Sequence, residues 1–211
     1  NLIGLPTGIQ KKILEDKNRY KNYVNVIRSE NERLNSQVEK VLQLNKLEQG
    51  GTSLKLEKVN LHEMLEEVIA NFTITIKERN GNFDVIFSPV DIFVMADKHH
   101  LINVIYNLLD NALKYSKEIP LISLETKLEN GVVVLSINDQ GTGIAKEYQK
   151  KIFKRFFRVP TGNKHDVKGF GIGLSYVKTV VEAHKWKINL KSELNKGTNI
   201  SIMIPVTNGE N

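Results

Sequence analysis

The chain has 211 residues, 40% of them hydrophobic and 26% charged, with a formal net charge of +6 and no cysteine. The apolar share supports a real core, the length suits one large domain or a compact domain with an extension, and the missing cysteine excludes disulfides, thiolate zinc sites and cysteine nucleophiles. The longest apolar runs, such as Val132–Leu135, fall far short of a membrane span, and no signal-peptide pattern opens the chain, so a cytoplasmic setting without membrane contact is expected.

Gly4, Pro6 and Gly8 interrupt regular helix over the first residues. Tyr20, Val24, Ile27, Asn31, Leu34, Val38, Val41 and Asn45 then alternate steps of four and three, a heptad seam within a charged helix that ends near Gly50-Gly51. Such a stripe belongs either on the helix's own domain or against partner helices. The glycine pair separates this helix from the rest of the chain and favours a homodimeric helical bundle, in which Asn31 and Asn45 would select one register. Two domains are expected, 1–50 for the bundle segment and 51–211 for the rest.

Leu54–Val59 alternates like a short strand, and Asn60 reads as the N-cap of a helix reaching about Ile74 or Lys77. A strand is expected at Phe83–Ser88, a short extended piece at Asp91–Ala96 and a helix from about Lys98 to Tyr115. Two more strands are expected at Leu121–Leu128 and Val132–Asn138, joined by the turn residues Glu129-Asn-Gly131. A short helix is expected near Lys146–Phe153, a longer one over Gly173–His184, and strands at Lys187–Ser192 and Thr198–Ile204. Strands interleaved with helices, with hairpin-like links among them, indicate an α+β fold arranged as a two-layer sandwich rather than a parallel doubly wound sheet.

Three motifs carry chemistry. Asn107 and Asn111 stand four apart, on one helix face. Asp139-Gln-Gly-Thr-Gly-Ile144 closes a strand in which Val132, Val134 and Ile137 read as buried. A carboxylate there needs a donor, which an exocyclic amine could supply, although Asp-x-Gly also simply caps turns. Gly141 and Gly143 would let the backbone approach a ring. Gly169-Phe-Gly-Ile-Gly-Leu174 leads into a helix whose free N–H groups suit phosphate, although a glycine run could equally be a hinge. The chain order argues against a Rossmann site, and no Gly-Lys-Ser/Thr succeeds the glycines as in a Walker loop. Lys150, Lys151, Lys154, Arg155, Arg158, Lys164 and Lys168 cluster between the two glycine motifs, either as a solvated loop or as a positive field for a triphosphate. No aromatic stacking pattern or reading helix accompanies them, so nucleic acid is not the expected partner.

The runs NLLDNALKYS, KIFKRFFRVPTGN and KGFGIGLSYVKTVVEAH resemble the ATP-binding domain of sensor histidine kinases, and through it the wider family of gyrase, MutL and heat-shock chaperone ATPases. The resemblance spans about Asp16 to Pro205 and implies a Bergerat-type fold that binds ATP and magnesium. It implies that Asp139 selects adenine, with Gly141, Gly143 and Ile144 around it, and that Thr198 lies near the adenine amine and Tyr115 flanks the ring. Asn111 would hold magnesium, Lys114 would contact phosphate, and Lys168, Gly169, Gly171, Gly173 and Leu174 would close over the phosphates. Hydrolysing relatives have a glutamate at the position of Asn107. An amide cannot take a proton from water, so transfer to another acceptor is expected over hydrolysis. Phe153, Phe156 and Phe157 would give an apolar face anchoring a lid over about 158–168, or serve as plain core.

The resemblance also implies a phosphoacceptor histidine in a first bundle helix, passing phosphate to an aspartate of a response regulator. No His-Glu/Asp-x-x-x-Pro motif occurs, and His62, His99, His100, His165 and His184 all fall within or at the edge of the nucleotide domain. His100 reads as structural. The expected parent is therefore a histidine kinase whose acceptor lies outside this chain. The alternatives are an ATP-binding regulatory module without autokinase activity and, disfavoured by Asn107, a hydrolysing ATPase.

Overall fold

The structure is a computed structural model that describes scattered helical positions between 19 and 45, together with residues 54–160 and 170–207. It divides into two compact units, Asn1–Gln43 and Leu44–Asn211. In the first unit the described residues are helical. Four residues of the seam, Tyr20, Val24, Ile27 and Val38, are each more than half exposed.

In the second unit the elements run β1 (Glu57–Asn60), α1 (Leu61–Glu78), β2 (Asn82–Ile86), β3 (Phe93–Ala96), α2 (Lys98–Lys114), β4 (Leu121–Glu129), β5 (Val132–Asp139), α3 (Lys146–Gln149), α4 (Gly173–Ala183), β6 (Lys187–Glu193) and β7 (Gly197–Pro205). Local chemistry sets the boundaries. Asn60 accepts a hydrogen bond from the Glu63 N–H at the start of α1, and Asp97 accepts one from the His100 N–H at the start of α2. Asn130 and Gly131 turn β4 into β5 with φ of 49° and 75°, the pair of positive values that a tight hairpin of this hand needs.

One sheet has the order β2-β4-β5-β7-β6, and β1 pairs with β3 in a separate two-stranded sheet. Only the β2–β4 pairing is parallel, and the rest of the large sheet is antiparallel. Its inner face buries Ile122 and Leu124 from β4, Val133, Leu135 and Ile137 from β5, and Ile200, Ile202 and Ile204 from β7. The helices answer with Leu65 and Val68, Leu101, Ile105 and Leu109, and Tyr176, Val177 and Val180. Helix α2 sits centrally, packed on α1, α4 and β5.

Side chains alternate strictly along a strand, so Val132 and Val134 cannot share a face with Ile137. The structure places both half-buried on the opposite face, and Val133 and Leu135 take the core positions assigned to them from sequence. The helix expected over Lys146–Phe153 stops at Gln149 and continues as turns. Phe153, Phe156 and Phe157 do not form one apolar face. Phe156 has φ 61° and is two-thirds exposed at 66%, its N–H bound to the Gly171 carbonyl, while Phe157 turns inward toward the Tyr148 ring. The segment expected to form a lid lies, beyond Pro160, outside the described residues, as do Lys168 and Gly169.

Candidate functional site

Strand register builds one end of the site. Ile122, Asp139, Thr198 and Ser192 pair in succession across β4, β5, β7 and β6. They form the last row of the inner face, directly after the apolar row Leu124, Ile137, Ile200 and Leu190. A carboxylate is thus held at the rim of a hydrocarbon core. Burial pushes the Asp139 pKa up, and the backbone N–H groups of Gly141 and Thr198 pull it back only in part. The Gly141 N–H donates to Oδ1 at 2.8 Å.

The glycines of this turn are sterically required. A Cβ on Gly141 would lie 2.2 Å from the Tyr115 carbonyl oxygen and 2.7 Å from Asp139 Oδ1. Gly143 has φ 62°, and its Cβ would fall 1.9 Å from the Glu193 carbonyl oxygen. The turn is tied down on both sides. The Thr142 N–H donates to the Tyr115 carbonyl at 3.0 Å, and the Ile144 N–H donates to Ser192 Oγ at 2.8 Å. Tyr115 is the C-cap of α2, so its main chain joins the helix to the turn while its side chain stays partly exposed.

Helix α2 leads from this corner to the other end. At about 1.5 Å rise per residue, Asn111 lies about 6 Å and Asn107 about 12 Å back along the axis from Tyr115. Asn107 is buried and donates from Nδ2 to the Asn103 carbonyl at 2.7 Å. Asn111 Nδ2 is buried and makes no hydrogen bond. Opposite them stands the first residue of α4: a Cβ on Gly173 would be 3.1 Å from Asn107 Oδ1 and 3.7 Å from Asn111 Nδ2. No side chain caps α4, and the positive end of its dipole stands beside the two amides. Leu174 is the second residue of that helix, and Gly171 precedes it in the left-handed region at φ 70°.

The remaining expected residues fare unequally. Lys114, seven residues after Asn107 and three after Asn111, follows them along the same side of α2 and pairs with Asp110 at 2.5 Å, both side chains partly exposed. His100 is structural, its Nδ1 within 2.8 Å of the fully buried Tyr176 hydroxyl. Sequence reasoning missed Ser192 and Gln149. Gln149 Nε2 donates to the Ile144 carbonyl at 2.9 Å and to the Ser192 carbonyl at 2.8 Å, pinning the turn to β6. The alternation Ile188, Leu190, Ser192 would have placed Ser192 on the inner face beside Thr198, and that was the available signal.

As to a metal, no cluster of three or more His, Cys, Asp or Glu able to hold one occurs among the described residues. The buried Nδ2 of Asn111, held by no hydrogen bond, leaves the amide able to turn, and its oxygen then fits as a single hard ligand to a magnesium ion held chiefly by phosphate oxygens and water.

A five-stranded mixed sheet beneath helices, an aspartate at its rim and a helix N-terminus facing two asparagines define an ATPase-type nucleotide domain. Residues 96–208 match the histidine kinase-, DNA gyrase B- and HSP90-like ATPase model, and the chain belongs to that family. The relatives it matches include sensor proteins and sensor histidine kinases. It is 43% identical to the sensor protein RprX of Bacteroides fragilis over 86% of this chain and 35% of RprX. It is 31% identical to the sensor histidine kinase WalK of Bacillus subtilis over 90% of this chain and 31% of WalK. Among solved structures, the histidine kinase ThkA in complex with the response regulator protein TrrA matches with a TM-score of 0.68 and 26% identity, covering 95% of this chain and 57% of that one. The chain thus spans about a third of the length of RprX and WalK.

Proposed function

We propose that this chain is the kinase core of a sensor histidine kinase. It binds Mg-ATP in the groove along α2 and transfers the γ-phosphate to a histidine outside residues 1–211, for relay to an aspartate of a response regulator. The observation that carries this reading is the buried, unpartnered Nδ2 of Asn111 beside the start of α4, which no side chain caps, with the desolvated Asp139 at the other end of α2. The carboxylate accepts from the adenine amine, and Thr198, Gly141, Gly143 and Ile144 shape the base end, with Tyr115 at its edge. The N–H groups from Gly173 onward receive the phosphates, with Gly171 and Leu174 setting the approach. Asn107 and Asn111 orient the phosphates, and Asn111 offers its amide oxygen to magnesium, which neutralises phosphate charge when bound. Asn107 has no basic atom with which to activate water, which favours transfer over hydrolysis.

The exposed seam residues Tyr20, Val24, Ile27 and Val38 support a homodimeric bundle, because an apolar stripe left in water is unfavourable until a partner helix covers it. No helix among the described residues is long and apolar enough to cross a membrane. The test supplies γ-labelled ATP and magnesium together with a separate helical bundle bearing a histidine acceptor. An acid-labile label on the bundle is expected. An acid-stable label, or none alongside steady ATP turnover, would contradict the assignment.

A further inference from the structure

The hydroxyl of Ser192 has three neighbours and no capacity to spare. It lies 2.8 Å from the Ile144 nitrogen, 2.8 Å from the Gly197 carbonyl oxygen and 3.1 Å from Thr198 Oγ1. A serine hydroxyl has one proton and two lone pairs. The Ile144 N–H can only donate, so it occupies one lone pair. The Gly197 carbonyl can only accept, so it takes the serine proton. What remains for Thr198 is the second lone pair, and Thr198 must therefore donate its own proton to Ser192. Its oxygen then has only lone pairs left for a ligand.

We infer that Ser192 is a specificity-determining positioning residue: by taking the Thr198 proton, it forces the Asp139–Thr198 corner to act as an acceptor-only surface that admits a base with an exocyclic amine and rejects one with a carbonyl there. This deepens the proposed function and rests on its placement of the base at that corner. Asp139 and Thr198 face each other in register, and the carboxylate is itself an acceptor whose Oδ1 is already held by the Gly141 N–H. Adenine brings a donor to this pair, whereas guanine brings a carbonyl oxygen that would meet lone pairs alone. Without the Ser192 hydroxyl, the Thr198 O–H is free to rotate toward such a carbonyl. Ser192 acts through Thr198 and does not itself touch the base.

The experiment measures dissociation constants of nonhydrolysable ATP and GTP analogues, with magnesium, for the full 211-residue chain and its variants. The parent is expected to prefer the ATP analogue. Ser192→Ala should shrink that preference at least about fivefold, chiefly because GTP binding is relieved of the mismatch. Ser192→Thr keeps the hydroxyl and should keep the preference. Ser192→Cys fills the same space with a poor donor and acceptor, should behave like alanine, and decides the matter if the alanine variant does not fold. Equal losses for both nucleotides in the alanine or cysteine variant, with the ratio preserved, would reduce Ser192 to a structural role and overturn the inference alone. A parent that binds the two analogues equally, or binds neither, would overturn the inference and the reading beneath it.

Discussion

Replacing Asp139 by asparagine separates binding from folding. The carboxylate sits at the rim of the core, where burial raises its pKa, so at neutral pH the fold carries the expense of a partly desolvated charge. An asparagine relieves that burden and can still accept the Gly141 N–H now held at 2.8 Å. The stability of the nucleotide-free protein should therefore hold or rise slightly. Nucleotide affinity should not hold. With the amide oxygen turned to Gly141, the NH2 group faces the adenine amine, and a charge-assisted hydrogen bond becomes a donor–donor contact. Loss of a hydrogen bond to a charged acceptor corresponds to roughly 1.5–3 kcal/mol. At about 1.4 kcal/mol per factor of ten, affinity should weaken roughly 10- to 150-fold. Calorimetric titration with a nonhydrolysable ATP analogue, beside a urea melt of the free proteins, reads both quantities. Affinity within about threefold of the parent, or a loss of binding matched by a loss of stability, would refute the placement of the base.

Asn111→Ala should abolish the dependence of ATP-analogue affinity on magnesium while leaving most of the adenine contact. An unchanged ratio of affinities with magnesium and with chelator would remove Asn111 from the metal. Gly143→Ala places a Cβ 1.9 Å from the Glu193 carbonyl oxygen at φ 62° and should destabilise the domain by about 2 kcal/mol or more. A urea midpoint equal to the parent's would show that the turn can rearrange freely. His62, His100 and His184 all have pKa values lowered from the ordinary 6.5, in each case chiefly by burial. For His184 the geometry agrees: one nitrogen lies 2.8 Å from the Val180 carbonyl and the other accepts the Asp97 N–H at 3.0 Å, so an imidazolium would set N–H against N–H. The unfolded chain then binds more protons just below pH 6.5, and stability must fall as pH drops through that window. The melting temperature should decrease from about pH 7.5 to about pH 6, and one that is flat or rising would contradict the three neutral histidines.

The legible parts of this protein were those with local causes. Asn60 as a cap, Asn130-Gly131 as a hairpin turn and the helix from about Lys98 to Tyr115 rest on local chemistry, and each falls where the sequence placed it. The asparagine pair and the glycine turn were likewise visible, because i,i+4 spacing and glycine spacing report local geometry. The hidden parts depend on register between distant strands. Nothing near Ser192 in the chain shows that it meets Ile144, forty-eight residues away, while capping a row that begins with Ile122. The exposed, left-handed Phe156 was equally unreadable, since its N–H bond to the Gly171 carbonyl joins it to a residue fifteen positions away.

The central claim is that a nucleotide lies along α2 with its base at Asp139 and its phosphates at the start of α4. A crystal structure of this chain with magnesium and a nonhydrolysable ATP analogue tests it most directly. The account predicts the adenine amine within hydrogen-bond distance of the Asp139 carboxylate, phosphate oxygens on the N–H groups just after Gly173, and the metal on the Asn111 amide oxygen. A nucleotide bound elsewhere, or bound with its base away from Asp139, would contradict it.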